Sequence, residues 1–72
     1  MVRRVASTYL KIGDKILKNY VVEIDGSKVV DYYPLEGEPP MTEWLGGTIE
    51  IIDGKAFKMK NEKFILVDEL TS

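Results

Sequence analysis

The chain has 72 residues, 44% of them apolar and 31% charged, with a net charge of −2. This is one small domain of ordinary soluble composition, and at this size folding buries only about 60% of the unfolded surface, which excludes a deep enclosed site. With no Cys and no His, it has no disulfide, no thiolate nucleophile, no imidazole base and no soft metal ligand.

The opening "MVRRVASTYL" has too short an apolar run for a signal peptide, and no stretch approaches the roughly 20 apolar residues of a membrane helix. A cytoplasmic chain with no membrane partner is expected. "VASTYLKI" (Val5–Ile12) is rich in β-branched and aromatic residues and reads as a strand. Gly13-Asp14-Lys15 reads as a turn, followed by the short apolar pair Ile16-Leu17 and the polar Lys18-Asn19. "YVVEI" (Tyr20–Ile24) and "KVVDYYPL" (Lys28–Leu35) flank Asp25-Gly26-Ser27. Asp-Gly between β-branched runs is a strong hairpin signal, because Gly takes positive φ without steric cost. Pro34 cannot donate to a ladder, so it ends its strand or keeps it on an edge.

The segment "PLEGEPPMTEWLGG" (Pro34–Gly47) carries no strand signal, and residues 36–47 read as a connecting loop. Within it, Pro40 is placed to open one helical turn through Met41–Leu45, with Gly46 ending it. Trp44 and Leu45 then plug one end of the sheet packing. The other reading of Trp44 is an exposed binding anchor.

"TIEII" (Thr48–Ile52) and "KAFKMK" (Lys55–Lys60) flank a second hairpin turn, Asp53-Gly54. Phe57 and Met59 alternate with Lys55, Lys58 and Lys60, which suggests one wet face lined by lysines. Asn61-Glu62 turns the chain into "KFILVDEL" (Lys63–Leu70), where the unbroken apolar run Phe64–Val67 predicts a strand covered on both faces. Residues 48–70 therefore form a three-stranded meander. The expected fold is all-β: a small antiparallel sandwich or open barrel, one domain over 1–72, with a hairpin unit at 1–35 joined to the meander by a Pro/Gly-rich loop. "VEIDGSK" and "IEIIDGK" are locally alike. The small residue menu of Asp-Gly hairpins explains this, as would an internal duplication.

Charge is unevenly placed. Residues 1–19 carry +4, residues 20–54 carry −7 and residues 55–72 carry +1. Basic ends around an acidic middle either pair inside one fold or leave a two-signed surface that favours self-association. "LGGT" lacks the Lys and the spacing of a phosphate-binding loop. The carboxylate pairs Glu36/Glu38 and Asp68/Glu69 fall in a loop and near a tail, where solvation keeps them from acting as acid catalysts. Tyr9, Tyr20, Tyr32 and Tyr33 are able to stack on bases, but Tyr32 and Tyr33 lie in the acidic third of the chain. Nucleic acid is not an expected partner.

The stretch "ASTYLKIGDKILKNYVVEIDGSKVVDYYPL" resembles the opening of amidohydrolase-superfamily enzymes. Ala6–Leu10 stands at their first short strand, Ile16-Leu17-Lys18-Asn19 at an "i-x-n-g" position, Val21–Ile24 at the next strand, Asp25-Gly26 at the turn and Val29-Val30 at the strand after it. The resemblance implies the small β-sandwich, or composite domain, that stands beside the catalytic barrel of those metal-dependent hydrolases of carbon–nitrogen bonds. It covers the first half of the chain. Where the family continues towards its His-rich metal motif, this chain has "EWLGGTIEI", and with no His none of the family's metal ligands carries over to any position.

Two functions are expected from different classes. One is a stand-alone, non-catalytic interaction or assembly module of composite-domain type, needing no cofactor and no metal. Its partners would be copies of itself, through the uncharged "VASTYL" edge of Val5–Ile12, or a separate hydrolase subunit. The other is a small ligand-binding barrel whose groove is lined by Tyr32, Tyr33 and Trp44. An enzyme working with carboxylates alone would need one of them buried in a cleft. Asp25, Gly26, Asp53 and Gly54 are assigned to turns.

Overall fold

The structure, a computed structural model, describes residues 2–37, 41–60 and 62–71, the side chains of 70 and 71 excepted. Seven strands follow in chain order: β1 (Val2–Ile12), β2 (Lys15–Asp25), β3 (Lys28–Pro34), β4 (Thr42–Trp44), β5 (Thr48–Ile52), β6 (Lys55–Lys60) and β7 (Lys63–Leu66). One helical turn, α1 (Val67–Thr71), ends the described chain. The all-β expectation holds, but the sheet is neither a sandwich nor an open, all-antiparallel barrel: it closes, and two of its pairings are parallel. β1, β2, β3, β6 and β5 close on themselves, while β4 adds to β1 and β7 adds to β6.

β1 and β2 form a long antiparallel hairpin, and β2 continues into β3 with a bulge between Glu23 and Ile24. Closure does not come from antiparallel pairing alone. β5 runs parallel to the upper half of β1 (Tyr9–Ile12), and β4 runs parallel to its lower half (Arg4–Ala6). Following partners round the barrel from Val2 leads through Asp25, Lys28, Lys55 and Ile52, next to Ile51, whose partner is Ile12. The circuit returns near the far end of β1, so the barrel is strongly staggered and its strands are steeply tilted.

The interior is filled by Val5, Leu10, Val22, Ile24, Ile49, Ala56 and Val67, with Ile12, Leu17, Tyr20, Val29, Leu45 and Ile51 packed against them. Strict alternation cannot place both Val5 and Leu10 inside one strand, nor both Leu17 and Tyr20. Each strand slips phase once, at facing positions. The ladder pairs Ser7 with Tyr20 and Tyr9 with Lys18 but skips Thr8 opposite Asn19. Asn19 takes φ 55°, a left-handed conformation that Asn tolerates better than most residues. Its carbonyl accepts the Leu35 N–H at 2.8 Å. Buried Ser7 donates from Oγ to the Tyr9 carbonyl at 2.9 Å.

The β4–β5 segment matches the slip. Ala6 pairs with Trp44 and Tyr9 with Thr48, so three residues face two. The extra residue is taken up at Leu45-Gly46-Gly47, where both glycines have positive φ. The Leu45 N–H donates to the Ala6 carbonyl and the Tyr9 N–H to the Gly47 carbonyl. Lys58 turns inward, and its Nζ donates to the Leu45 carbonyl at 2.6 Å.

The two Asp-Gly turns close the barrel together. Lys28 and Lys55 are the single register pair between β3 and β6, flanked by Val29 N–H to Gly54 carbonyl (2.7 Å) and Ala56 N–H to Ser27 carbonyl (3.4 Å). The similar segments "VEIDGSK" and "IEIIDGK" thus meet across the seam.

Several expectations need correction. The stretch around Trp44 is strand β4, not a helical turn, because it pairs with β1; Glu38, Pro39 and Pro40 lie outside the described residues, as does Asn61 of the proposed last turn. The final strand ends at Leu66. Val67 then enters the core at the start of α1, where Asp68 and Glu69 suit a helix N-terminus and Asp68 meets Arg3 at 3.6 Å. β1 has no free edge, since β2 lies on one side and β4 and β5 on the other. On β6 the expected wet face is inverted. Ala56 and Lys58 point inward, while Phe57 and Met59 point out.

Gly26 and Gly54 have φ 62° and 75° with open space where a Cβ would stand, so a substitution there costs backbone strain alone. Gly54→Val is expected to destabilise by about 1 kcal/mol or more, and Asn19→Val by a similar amount. Asn19→Gly should be tolerated, and denaturant midpoints of the three variants check this. The directly opposed Lys28 and Lys55 repel. Lys55→Glu is therefore expected to stabilise by about 0.5 kcal/mol, and less in high salt, as thermal melts at two ionic strengths will show.

Candidate interaction surfaces

The line of kinks divides the outside of the barrel into two faces. Below it lie Arg4 and Ala6 of β1, Val21 and Glu23 of β2, Asp31 and Tyr33 of β3, and Thr42 and Trp44 of β4. Register places these in two cross-strand rows, Thr42–Arg4–Glu23–Asp31 and Trp44–Ala6–Val21–Tyr33. Ala6 and Val21 are buried although neither belongs to the barrel's core, so this face carries an outer apolar layer of its own.

Over that layer stands a polar network. Arg4 Nε donates to Glu23 Oε2 at 3.0 Å, and the Tyr33 hydroxyl donates to the same oxygen at 2.6 Å. The hydrogen bond from Tyr33, and then that from Arg4, hold the Glu23 carboxyl below the usual carboxylate range. The bond to Glu23, with desolvation, pushes the Tyr33 phenol up. The bond to Glu23 also raises the Arg4 guanidinium. No sequence pattern marks Arg4, Glu23 and Tyr33 as a set. Their common row and neighbouring row follow only from the register.

The three aromatic residues assigned to one groove do not share one. Trp44 is 57% exposed, which overturns its role as a core plug. Its indole nitrogen lies 3.4 Å from where a Cβ on Gly46 would stand. Tyr33 is on the same face, but β1 and β2 lie between them, a separation of roughly 14 Å at ordinary strand spacing. Tyr32 points to the other side of β3. It pairs with Val22, and its ring lies 6.4 Å from that of Tyr20.

Above the kinks the outer face spans five strands. One row runs Ile16–Lys11–Glu50–Phe57–Leu66, through successive ladder pairs. Beside it run Lys18–Tyr9–Thr48 and then Met59–Phe64. Tyr9, Ile16, Met59 and Phe64 are all exposed. Phe57 and Phe64 meet edge to face at 6.4 Å. A groove of about 400 Å³ runs between Lys11, Thr48, Glu50, Met59 and Phe64. On its β1 side Lys11 Nζ lies 3.5 Å from Glu50 Oε1. The alternation of Phe57 and Met59 is the sequence signal for this face, but alternation alone does not say which side is inside.

Comparison with family models, with curated proteins and with solved structures finds no match to this chain. Among the described residues, no helix is long and apolar enough to cross a membrane.

The Arg4–Glu23–Tyr33 network acts on stability at both ends of the pH range. Glu23 is lowered, so its contribution is full above the ordinary carboxylate range and lost as pH falls through its folded value. Tyr33 is raised, so its contribution is full below the ordinary tyrosine range and lost as pH rises through its folded value. The stability gap between the protein and Glu23→Gln is expected to narrow in acid, as denaturant melts across pH will show. Ultraviolet titration should find one tyrosine ionising above the ordinary range, and that component should be missing in Tyr33→Phe.

Proposed function

We propose that the chain is a non-catalytic assembly module that joins copies of itself through the five-stranded outer face above the kinks. The observation that carries this is the grouping of Tyr9, Ile16, Met59 and Phe64, each more than 40% exposed, on one continuous sheet face. Single exposed apolar residues are common and need no explanation, but four on one outer face, set on either side of Lys11, Thr48 and Glu50, give a partner more than one apolar anchor. The uncovered face replaces the β1 edge as the site of association.

The face is roughly 20 Å across at ordinary strand spacing. It offers on the order of 500 Å² per copy, near the low end for specific interfaces. Association at micromolar concentration or above is therefore expected. Sedimentation velocity over a concentration series should show it. Phe64→Ser should remove it while shifting the thermal transition little, because Phe64 is half exposed. Association that survives Phe64→Ser would exclude this face.

A further inference from the structure

β3 is covered unevenly along its length. On one side β2 pairs with it from Lys28 to Pro34. On the other side β6 meets it at Lys28 and Lys55 alone, next to the bond from the Val29 N–H to the Gly54 carbonyl. From there β3 runs on past the Asp53-Gly54 turn, while Phe57–Lys60 of β6 pair with β7. Among the described residues no strand covers the outer edge of β3 beyond Val29, and Val30, Asp31 and Tyr32 are exposed. This segment is sticky by composition. "VVDYY" holds two β-branched residues, two aromatic residues and a single charge, Asp31. An open edge of that kind is a template for another strand unless its backbone donors are missing or occupied.

Alternation fixes which donors face outwards. The Leu35 N–H donates to the Asn19 carbonyl at 2.8 Å, and Tyr20, Val21 and Val22 pair with Pro34, Tyr33 and Tyr32. Counting back from Leu35, Tyr33 turns its backbone groups to β2, while Pro34 and Tyr32 turn theirs away. Pro34 has no N–H to offer. The Tyr32 N–H is taken by its neighbour's side chain: Asp31 Oδ1 accepts it at 2.8 Å. Val30 is the residue skipped where the register passes from Ile24 and Val29 to Glu23 and Asp31, so the edge is also bent there. Each outward donor that alternation assigns from Val29 to Pro34 is therefore occupied or missing.

We propose that Asp31 is an edge cap, whose carboxylate takes the outward N–H of Tyr32 and so keeps β3 from pairing with β3 of a second copy. A docking strand has to bring a carbonyl to that N–H. With Asp31 Oδ1 already there, the carbonyl finds an acceptor instead of a donor, which leaves it unsatisfied. Charge on an edge strand opposes pairing as well, but the 2.8 Å contact assigns the main effect to the acceptor atom. The device is separate from the apolar face above the kinks, to which β3 contributes nothing.

Variants at Asp31 in a Phe64→Ser background, where the apolar face is disabled, test this. Asp31→Asn keeps an acceptor oxygen without the charge, and Asp31→Ala removes both. Amide exchange followed by NMR reads the cap directly. The Tyr32 N–H should exchange roughly fivefold faster in Asp31→Ala, the equivalent of one net hydrogen bond, and within about twofold of the parent in Asp31→Asn. Light scattering with a strand-sensitive dye reads the consequence. Asp31→Ala should form strand-rich aggregates sooner than the parent, and Asp31→Ala with Pro34→Thr, which adds a second outward donor, sooner still. Asp31→Asn should stay as soluble as the parent. Gly13→Val, strained at the β1–β2 turn where Gly13 has φ 58°, is the control for lost stability, and thermal melts check that each variant folds. Asp31→Asn aggregating as fast as Asp31→Ala would mean that charge and not the cap guards the edge, and overturns the proposal. An unchanged Tyr32 exchange rate in Asp31→Ala overturns it too, as does aggregation no faster than that of an equally destabilised Gly13→Val.

Discussion

The barrel depends on one constraint: a five-stranded closed sheet needs long strands, but a long strand that alternates strictly cannot stay inside a small, steeply staggered barrel. Here β1 and β2 each run 11 residues. Both slip phase once, at Thr8 and Asn19, so that Val5 and Leu10, or Leu17 and Tyr20, all reach the core. The parallel segment on the other side of β1 must absorb the same slip, and it does so with one extra residue at Leu45-Gly46-Gly47. The left-handed Asn19, the buried Ser7 hydroxyl and the inward Lys58 ammonium each deal with a backbone group or angle that the kink disturbs. A phase slip that served only the core would still turn the outside. Here it sets the buried Ala6 and Val21 layer on one side of the line and the exposed Tyr9 and Ile16 on the other.

The uneven charge along the chain has its explanation in the central place of β1. Its Arg3, Arg4 and Lys11 meet Glu43 of β4, Glu23 of β2 and Glu50 of β5. Arg3 also reaches Asp68 of α1. A basic first strand therefore recruits an acidic middle from three directions. Partly exposed pairs of this kind are each worth about 0–1 kcal/mol. Their larger effect is on pairing choice, because a like charge at Glu43 or Glu50 would oppose the parallel contacts of β4 and β5 with β1.

Much of this was legible in local chemistry, and what was not lies in long-range register. The Asp-Gly turns, the strand character of Val5–Ile12 and Tyr20–Ile24, and the all-β class follow from residue type. The strand at Thr42–Trp44 does not. Three residues between prolines and glycines carry no periodicity, and only the neighbouring β1 makes them a strand. The final helical turn is hidden for a similar reason: "FILV" is an apolar run whatever its backbone, and Val67 leaves the strand to cap the core. The inner face of β6 is not legible because period two gives two faces but not which is inside. Ala56, small and unremarkable in sequence, is the residue that points inward. Trp44 misled in the opposite sense: a lone Trp in a small chain invites burial, yet its strand lies outside the closed barrel.

The two outer faces differ in how their polar groups are spent. Below the kinks, Glu23 Oε2 accepts from both Arg4 and Tyr33, which binds three strands together over an apolar layer that is already covered. That network consumes its charges internally and stiffens the sheet. Above the kinks the Lys11–Glu50 pair lies among exposed rings and a thioether. Rigid backing and an uncovered apolar surface belong together in an interface, because a sheet already held in shape loses little further freedom when it docks. Under the proposed assembly role, the polar face is the support and the apolar face the contact. The kink line earns its place twice, by filling the core and by giving a 72-residue chain two outer surfaces of opposite character.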